Sequence, residues 1–407
     1  MKKTVKTFII LLLLSKMGFS QFIQISSGTT SDINSIGYRD GRLFFLGHNY
    51  LSTSDDFGSS INQLNIPVNL PYNYGLNVLD TSNLYLISGY HYSNYQYQII
   101  HTSDGGNNWV VLFDTIATPI HDLTVNENGN LLAVGSFGNI FKSQDGNNWT
   151  VSNANNINDI WKCVSLSNSS FAISGFQYSS ISEDYGNTWN TSYFNQSHAS
   201  SIIPISIDTI YMSSYFWNGW ESFFSKSLDG GNSWISNSIG TGIGVFDMYF
   251  ESSTHGYAVG AKYDHPDTLG ILMKTTDGGA SWITYNTNYN SEFLSVKKIE
   301  DQLFISGTNG LILKTDLQSL SNQDLSNYDS FKIDVYPNPV YKNSPVVVRV
   351  NKSGNYKIEV MDITGRIFID KEFNSEISFQ LGTSGVHMIR ITDDKSVSIL
   401  KKLIINN

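Results

Sequence analysis

From residue 21 onward the chain is written in short apolar runs separated by clusters of Gly, Asn, Asp and Ser, and no stretch carries a convincing helical period. Leu131-Leu-Ala-Val-Gly135, a loop from Ser136 to Gly138, and Asn139-Ile-Phe-Lys-Ser143 show the unit plainly: a strand ending at Gly, a short hairpin, a second strand. The same order returns at Tyr257-Ala-Val-Gly260 and Gly270-Ile-Leu-Met-Lys274. Each such pair runs into a turn phrase whose best copy is Ser227-Leu-Asp229-Gly-Gly231-Asn-Ser233-Trp234. Ser and Asp side chains bond backbone N–H groups in such a turn, Gly takes the φ other residues avoid, and Trp buries a large apolar area.

Further copies carry Asp104 with Trp109, Asp184 with Trp189, and Asp277 with Trp282. Asp145 and Trp149 belong to a copy one residue short, Asp56 to one without Trp, and Lys314-Thr315-Asp316 is a relic. These seven Asp are 48, 41, 39, 45, 48 and 39 residues apart, the length of one four-stranded propeller blade. The phrase resembles the Asp box of the bacterial neuraminidase repeat, and the resemblance covers roughly residues 22 to 317. It implies a propeller in which the box joins the third and fourth strands and has a structural role. The run from Gly256 to Trp282 is also similar to the propellers related to the photosystem II assembly factor, an analogy of fold only.

Met1-Lys2-Lys3, the apolar run Phe8 to Leu14 and the small residues before Gln21 read as a secretory signal peptide over residues 1–20, and nothing later is apolar enough to span a bilayer. Phe22-Ile-Gln-Ile25 then looks like an orphan fourth strand. Fourth strands start at 22, 61, 109, 149, 189, 234 and 282, while the last turn, at Asp316, has no strand behind it. The expected fold is therefore all-β: a seven-bladed propeller over 21–317, closed by its N-terminal strand.

Residues 318–331 form a polar linker, and 332–407 return to short alternating strands, as in a small Ig-like β-sandwich. Pro337-Asn338-Pro339, then Asp362-Ile-Thr-Gly365-Arg366, Gly385 to Ile389, and a closing Lys401-Lys402-Leu-Ile-Ile resemble the type A sorting domain of the type IX secretion system. That resemblance implies export through the type IX machinery to the surface or exterior of a Gram-negative cell of the Bacteroidota type. His387 stands where that family more usually has Tyr.

Charge sharpens the picture. Residues 21–330 hold 10 Lys+Arg against 27 Asp+Glu, whereas 331–407 hold 11 against 8. So acidic a propeller is a poor partner for phosphate backbones, which excludes nucleic acid. The single Cys163 permits no disulfide and no thiolate zinc site, and it reads as a small buried hydrophobe. No motif calls for a cofactor or metal, and a monomer is expected.

Function is sought on the face opposite the boxes, where hairpins between second and third strands open. Those hairpins offer Tyr90, His91, Tyr92 and Tyr95; Tyr178; Tyr215, Trp217 and Trp220; and Tyr263 with His265. Flat rings cover apolar ligand faces, and Asn, Asp and His place hydrogen bonds. Asp122, Asp159 and Asp247 recur at first-strand starts, where a side chain-to-backbone bond is a simpler reading than a cation site. The expected function is non-catalytic recognition of a glycan or protein; the alternatives are a glycan-active hydrolase and a structural surface protein. A hydrolase needs two carboxylates at fixed separation, and Glu221, Asp264, Asp267 and Glu292 are the candidates. A sialidase is excluded, since its resemblance implies a three-arginine clamp and this propeller has only Arg39 and Arg42.

Overall fold

The structure, a computed structural model, describes residues 22–66, 72–89, 96–116, 118–154, 158–216, 220–264, 267–287, 289–317, 320, 333–362, 365–393 and 398–407, with backbone alone at 72–74, 194–197, 264, 267, 286 and 398–400. The signal-peptide expectation and residues Tyr90, His91, Tyr92, Tyr95, Trp217 and His265 lie outside the described residues. Everything described is strand and turn apart from two 3-10 turns, at Ser136–Gly138 and Thr308–Gly310, and isolated helical positions at Leu317 and Leu320.

The strands form antiparallel sheets in chain order. The first contains Ile33–Arg39, Arg42–Gly47, Tyr50–Ser54 and Asn62–Leu64; the second Tyr72–Val78, Leu84–Gly89, Gln96–Thr102 and Val110–Ile116; the third Ile120–Val125, Leu131–Gly135, Asn139–Ser143 and Thr150–Asn153. A six-stranded sheet follows, made of Ile160–Ser165, Phe171–Ser182, Asn190–Pro204, Ile210–Phe216, Glu221–Ser227 and Ile235–Gly240. Next come Ile243–Phe250, Gly256–Asp264, Asp267–Thr275 and Ile283–Asn286. The last sheet joins Phe293–Ile299, Gln302–Gly307 and Ile312–Asp316 to the N-terminal Ile23–Ile25, which pairs along Ile312–Lys314. Each fourth strand begins one residue after its expected start.

Two expectations are modified. A break between the fourth and fifth repeats is absent, because Asn190–Pro204 runs on as one strand that pairs first with Phe171–Ser182 and then with Ile210–Phe216. No Gly or Pro interrupts residues 190–203, so nothing turns the chain there. The linker expected from residue 318 is modified at Leu320, which is fully buried beside Phe22 and Phe293.

The apolar core lies between sheets. Leu46 and Leu51 meet Leu86 and Ile100; Ile87 and Ile99 meet Leu123 and Phe141; Phe224 meets Val245 and Met273; Ile25 and Phe304 meet Ile33 and Phe45. First strands pack side by side in chain order, and Phe293–Ile299 lies against Ile33–Arg39. A recurring Gly in the second strand follows from the close approach of the first-strand backbone. A Cβ on Gly135 would sit 1.9 Å from the Pro119 carbonyl oxygen, and one on Gly260 1.8 Å from that of Gly244.

The turn phrase is a closed hydrogen-bond knot. In Thr102–Trp109, the Gly106 N–H donates to Thr102 Oγ1 (2.9 Å), Thr102 Oγ1 donates to Asp104 Oδ1 (2.8 Å), and Asp104 Oδ1 also accepts from the N–H groups of Asn107 and Asn108. Trp109 Nε1 closes it by donating to the Gly106 carbonyl (3.1 Å). Trp149 and Trp234 repeat that bond on Gly146 and Gly231. Such donors stabilise the carboxylate, so Asp56, Asp104 and Asp184 are held down at about 2, chiefly by the backbone N–H of Ser60, Asn108 and Thr188.

The C-terminal region forms two sheets over one apolar core that includes Val346, Val348, Ile358, Ile389 and Leu403. Its sequence motifs have clear physical roles. Asn338 Nδ2 donates to the Lys402 carbonyl (2.7 Å) while its Oδ1 accepts the Ile404 N–H (3.0 Å), holding the Pro-Asn-Pro segment to the final strand. Asp362 Oδ1 accepts the Arg366 N–H, and Gly365, at φ +87, donates to the Asp362 carbonyl. His387 is buried at 2% exposure, against the Phe368 ring edge and within hydrogen-bond distance of Thr383 Oγ1 (3.0 Å).

Candidate binding face

Antiparallel pairing places first-strand starts, second-to-third hairpins and fourth-strand ends on the face opposite the turn knots. Seven β-bulges stand at those first-strand starts: each time two residues on the first strand face one on the second, at 33/35, 73/75, 120/122, 160/162, 199/201, 245/247 and 293/295. A bulge re-aims the side chain of its extra residue. The extra residues include His121, Trp161, Ser200 and Phe246.

Rings from these bulges and from the hairpins meet in a run across the third to last sheets. His121 stacks on Trp161 at 4.3 Å between centroids, and Trp161 meets His198 edge-on at 5.7 Å. His198 contacts Phe176 at 5.4 Å and Tyr215 at 6.2 Å. Tyr215 lies beside Trp220 at 5.7 Å and edge-on to Phe246, and Trp220 stacks on Tyr263 at 4.0 Å. Tyr263 ends the run by donating its hydroxyl to Glu292 Oε1 at 2.8 Å. All these residues are partly buried. Phe137, at the tip of the third sheet's hairpin, is 62% exposed.

Burial and the nearby Glu292 charge push Tyr215 up to about 12, and burial followed by the Glu292 hydrogen bond raises Tyr263 further. Both phenols therefore remain neutral donors near neutral pH. Burial lowers His198, with Asp159 opposing, so that imidazole favours its neutral form. His121 Nε2 lies 3.0 Å from Ser136 Oγ and 3.9 Å from Asp159 Oδ2. One nitrogen faces both partners, whereas a nucleophile relay needs the hydroxyl and the carboxylate on opposite ring nitrogens.

Of the residues expected here, Tyr215, Trp220 and Tyr263 come together. Tyr178 does not: it is a core residue with no exposed surface, packed with Leu132, Ile160 and Phe171, because Gly175 leaves room for its ring. Glu221 accepts from Ser238 Oγ. His121, Trp161, Phe137 and His198 were not anticipated: the first two lie at bulges, which break the two-residue alternation by which a strand face is recognised, and Phe137 lies in a 3-10 turn outside any strand pattern. An apolar–ring–polar triplet at the first-strand start, as in Ile120-His121-Asp122 and Ile160-Trp161-Lys162, is the signal that would have found two of them.

The recurring Asp residues are staples. Asp122 Oδ2 accepts the Cys163 N–H (3.0 Å), and Asp247 Oδ2 accepts the Val296 N–H (3.1 Å) and Ser295 Oγ (2.9 Å). Each thus ties one first strand to the next. Asp159 Oδ1 accepts the Phe137 N–H at 2.9 Å. Cys163 is buried and free, and burial raises its thiol well above the ordinary range. Among the described residues no three His, Cys, Asp or Glu side chains form a metal set, and no helix is long and apolar enough to cross a membrane.

Residues 334–406 match the secretion system C-terminal sorting domain, so the chain carries the tail its motifs implied. Among curated proteins no sequence matches. Solved structures similar to this chain are propellers and their relatives. YCF48 from Cyanidioschyzon merolae shares 16% identity at a TM-score of 0.56, over 73% of this chain and 99% of its own. Virginiamycin B lyase from Staphylococcus aureus shares 11% at 0.58, over 73% and 99%. The WD40 propeller domain of Doa1 shares 9% at 0.54, over 72% and 96%. At such identities the likeness establishes an all-β, propeller-like fold and no activity.

Proposed function

We propose that this chain is a type IX cargo whose seven-bladed propeller, closed by the N-terminal strand, binds a glycan or protein without chemistry through the aromatic face opposite its turn knots. The tail supports export to the cell surface or beyond, after removal of a signal peptide near Ser20. The succession of first-strand contacts, ending with Phe293–Ile299 against Ile33–Arg39, supports the blade count and closure.

The single observation that carries the binding reading is the ring run from His121 to Tyr263, ending at Glu292 and flanked by exposed Phe137. It joins apolar ring surface to neutral hydroxyl and imidazole groups, the combination with which proteins hold sugars and peptide segments. YCF48 has been solved with a D1 peptide bound, so a propeller of this general shape accommodates a peptide. The test is a glycan and peptide array probed with the chain from residue 21, read for both retention and product release. Retention without product supports the reading. Turnover of any glycan sinks the non-catalytic part, and silence on both arrays sinks the recognition part.

A further inference from the structure

A groove of about 310 Å³ lies on the opposite face, between the turn knots of the third and fourth repeats. The knot of the third repeat is one residue short. In four other knots the residue after the Asp takes a left-handed φ and donates its N–H to the hairpin between first and second strands: Gly105 to Ser82, Tyr185 to Ser169, Gly230 to Asp208 and Gly278 to Thr254. The third knot passes directly from Asp145 to Gly146, whose N–H bonds Ser143 Oγ three residues back instead of four. The knot closes one residue shorter, and the groove lies beside it.

The lining suits one kind of ligand. Leu131, Leu132 and Phe171 line it as apolar, buried side chains, and Tyr185, 37% exposed, stands in its wall. Both charges beside it are already satisfied from within the protein. Lys142 Nζ donates to the Gly186 carbonyl and Asn187 Oδ1, both at 2.9 Å. Asp145 Oδ1 accepts the Asn147 and Asn148 N–H groups, and Oδ2 accepts Asn148 Nδ2. The other polar side chains of the lining, Asn130, Ser143, Gln144, Asn148, Thr150 and Asn187, are neutral. The volume is near the lower end of ligand pockets, roughly 300–1,000 Å³, which suits one or two sugar rings. We infer that this groove is a subsite for a neutral sugar unit, stacked on Tyr185, and separate from the aromatic face.

The experiment is saturation-transfer NMR on the chain from residue 21 with cellobiose, maltose, lactose and N,N′-diacetylchitobiose as separate probes. Tyr185→Gly removes the ring while restoring the residue found at this position in three other knots, so its fold is safe. Thr150→Trp, at an exposed strand position in the groove wall, obstructs the groove with a bulky ring. All measurements are made in a Phe137→Asn background, so that binding through the aromatic face is already reduced. Transfer to at least one probe is expected, weakened roughly tenfold or more in both variants. No transfer to any of the four, or transfer of equal strength in the Tyr185→Gly variant, would overturn the inference.

Discussion

Phe137 and Asn309 occupy the same place in two different repeats. Both sit in the middle of a 3-10 turn between second and third strands, at φ 60 and φ 59, and both donate their N–H to a carboxylate of the following repeat, Asp159 and Asp32. Asn tolerates this left-handed conformation better than most residues, whereas Phe is strained there. The repeat thus holds an exposed ring where its backbone prefers Asn, which is how a residue kept for its contacts with something else behaves.

Phe137→Asn should accordingly leave thermal stability unchanged or slightly raised while reducing array retention by about tenfold or more. Calorimetry and the array check the two halves separately. Retention at full strength would show that Phe137 lies outside the binding surface.

Tyr263 and Glu292 form the polar end of the ring run. Removing only the hydroxyl, with Tyr263→Phe, keeps the stack on Trp220 and leaves the Glu292 carboxylate able to meet water. The expected cost to stability is about 1 kcal/mol, measured by denaturant titration, with ligand preference altered at this end of the face.

Asp247 should matter for stability rather than binding. Asp247→Ala strands the Val296 N–H and two serine hydroxyls, at a cost of about 1–3 kcal/mol. Asp247→Asn retains the acceptor oxygen and should recover part of that. Gly135→Ala, with no partner lost but a carbonyl 1.9 Å from the new Cβ, should destabilise by about 1–3 kcal/mol through strain alone.

The pH limits follow from two sets of groups. Asp56, Asp104 and Asp184 fall from the ordinary 3.8 to about 2 in the fold, so their contribution is complete above about 4 and lost as pH drops through 2. Tyr215 rises from 10.0 to about 12, so its contribution is complete below 10 and lost as pH climbs through 12. Between these limits the His198 imidazole, held neutral by burial, adds a loss on the acid side of 6.5. Unfolding midpoints across pH check this, and the absence of a loss below about 4 or above about 10 would contradict the corresponding assignment.

How much of this was written in the sequence depends on the interaction. Gly-Gly and Trp with Asp at fixed spacing act within eight residues, so each knot and the start of each fourth strand could be placed closely. Gly135 ends its strand as the sequence suggests, whereas Gly260 lies inside Gly256–Asp264; the carbonyl of the preceding strand that requires both is a contact between strands. The ring run was not legible because it depends on bulges, and His121 and Trp161 look like ordinary strand residues until the register slips. Tyr178 misled for the opposite reason: it stands beside a hairpin, yet Gly175 opens a slot that buries it. Asn190–Pro204 could have been read as one strand from its lack of Gly and Pro, had the repeat not suggested a break.

The most direct measurement is hydroxyl-radical footprinting of the chain from residue 21 with its strongest array ligand. Protection is expected at Phe137, Trp161, Trp220 and Tyr263, with Trp109, Trp149 and Trp234 in the turn knots unchanged. Protection confined to the knot tryptophans, or none at the rings from Trp161 to Tyr263, would contradict the binding face.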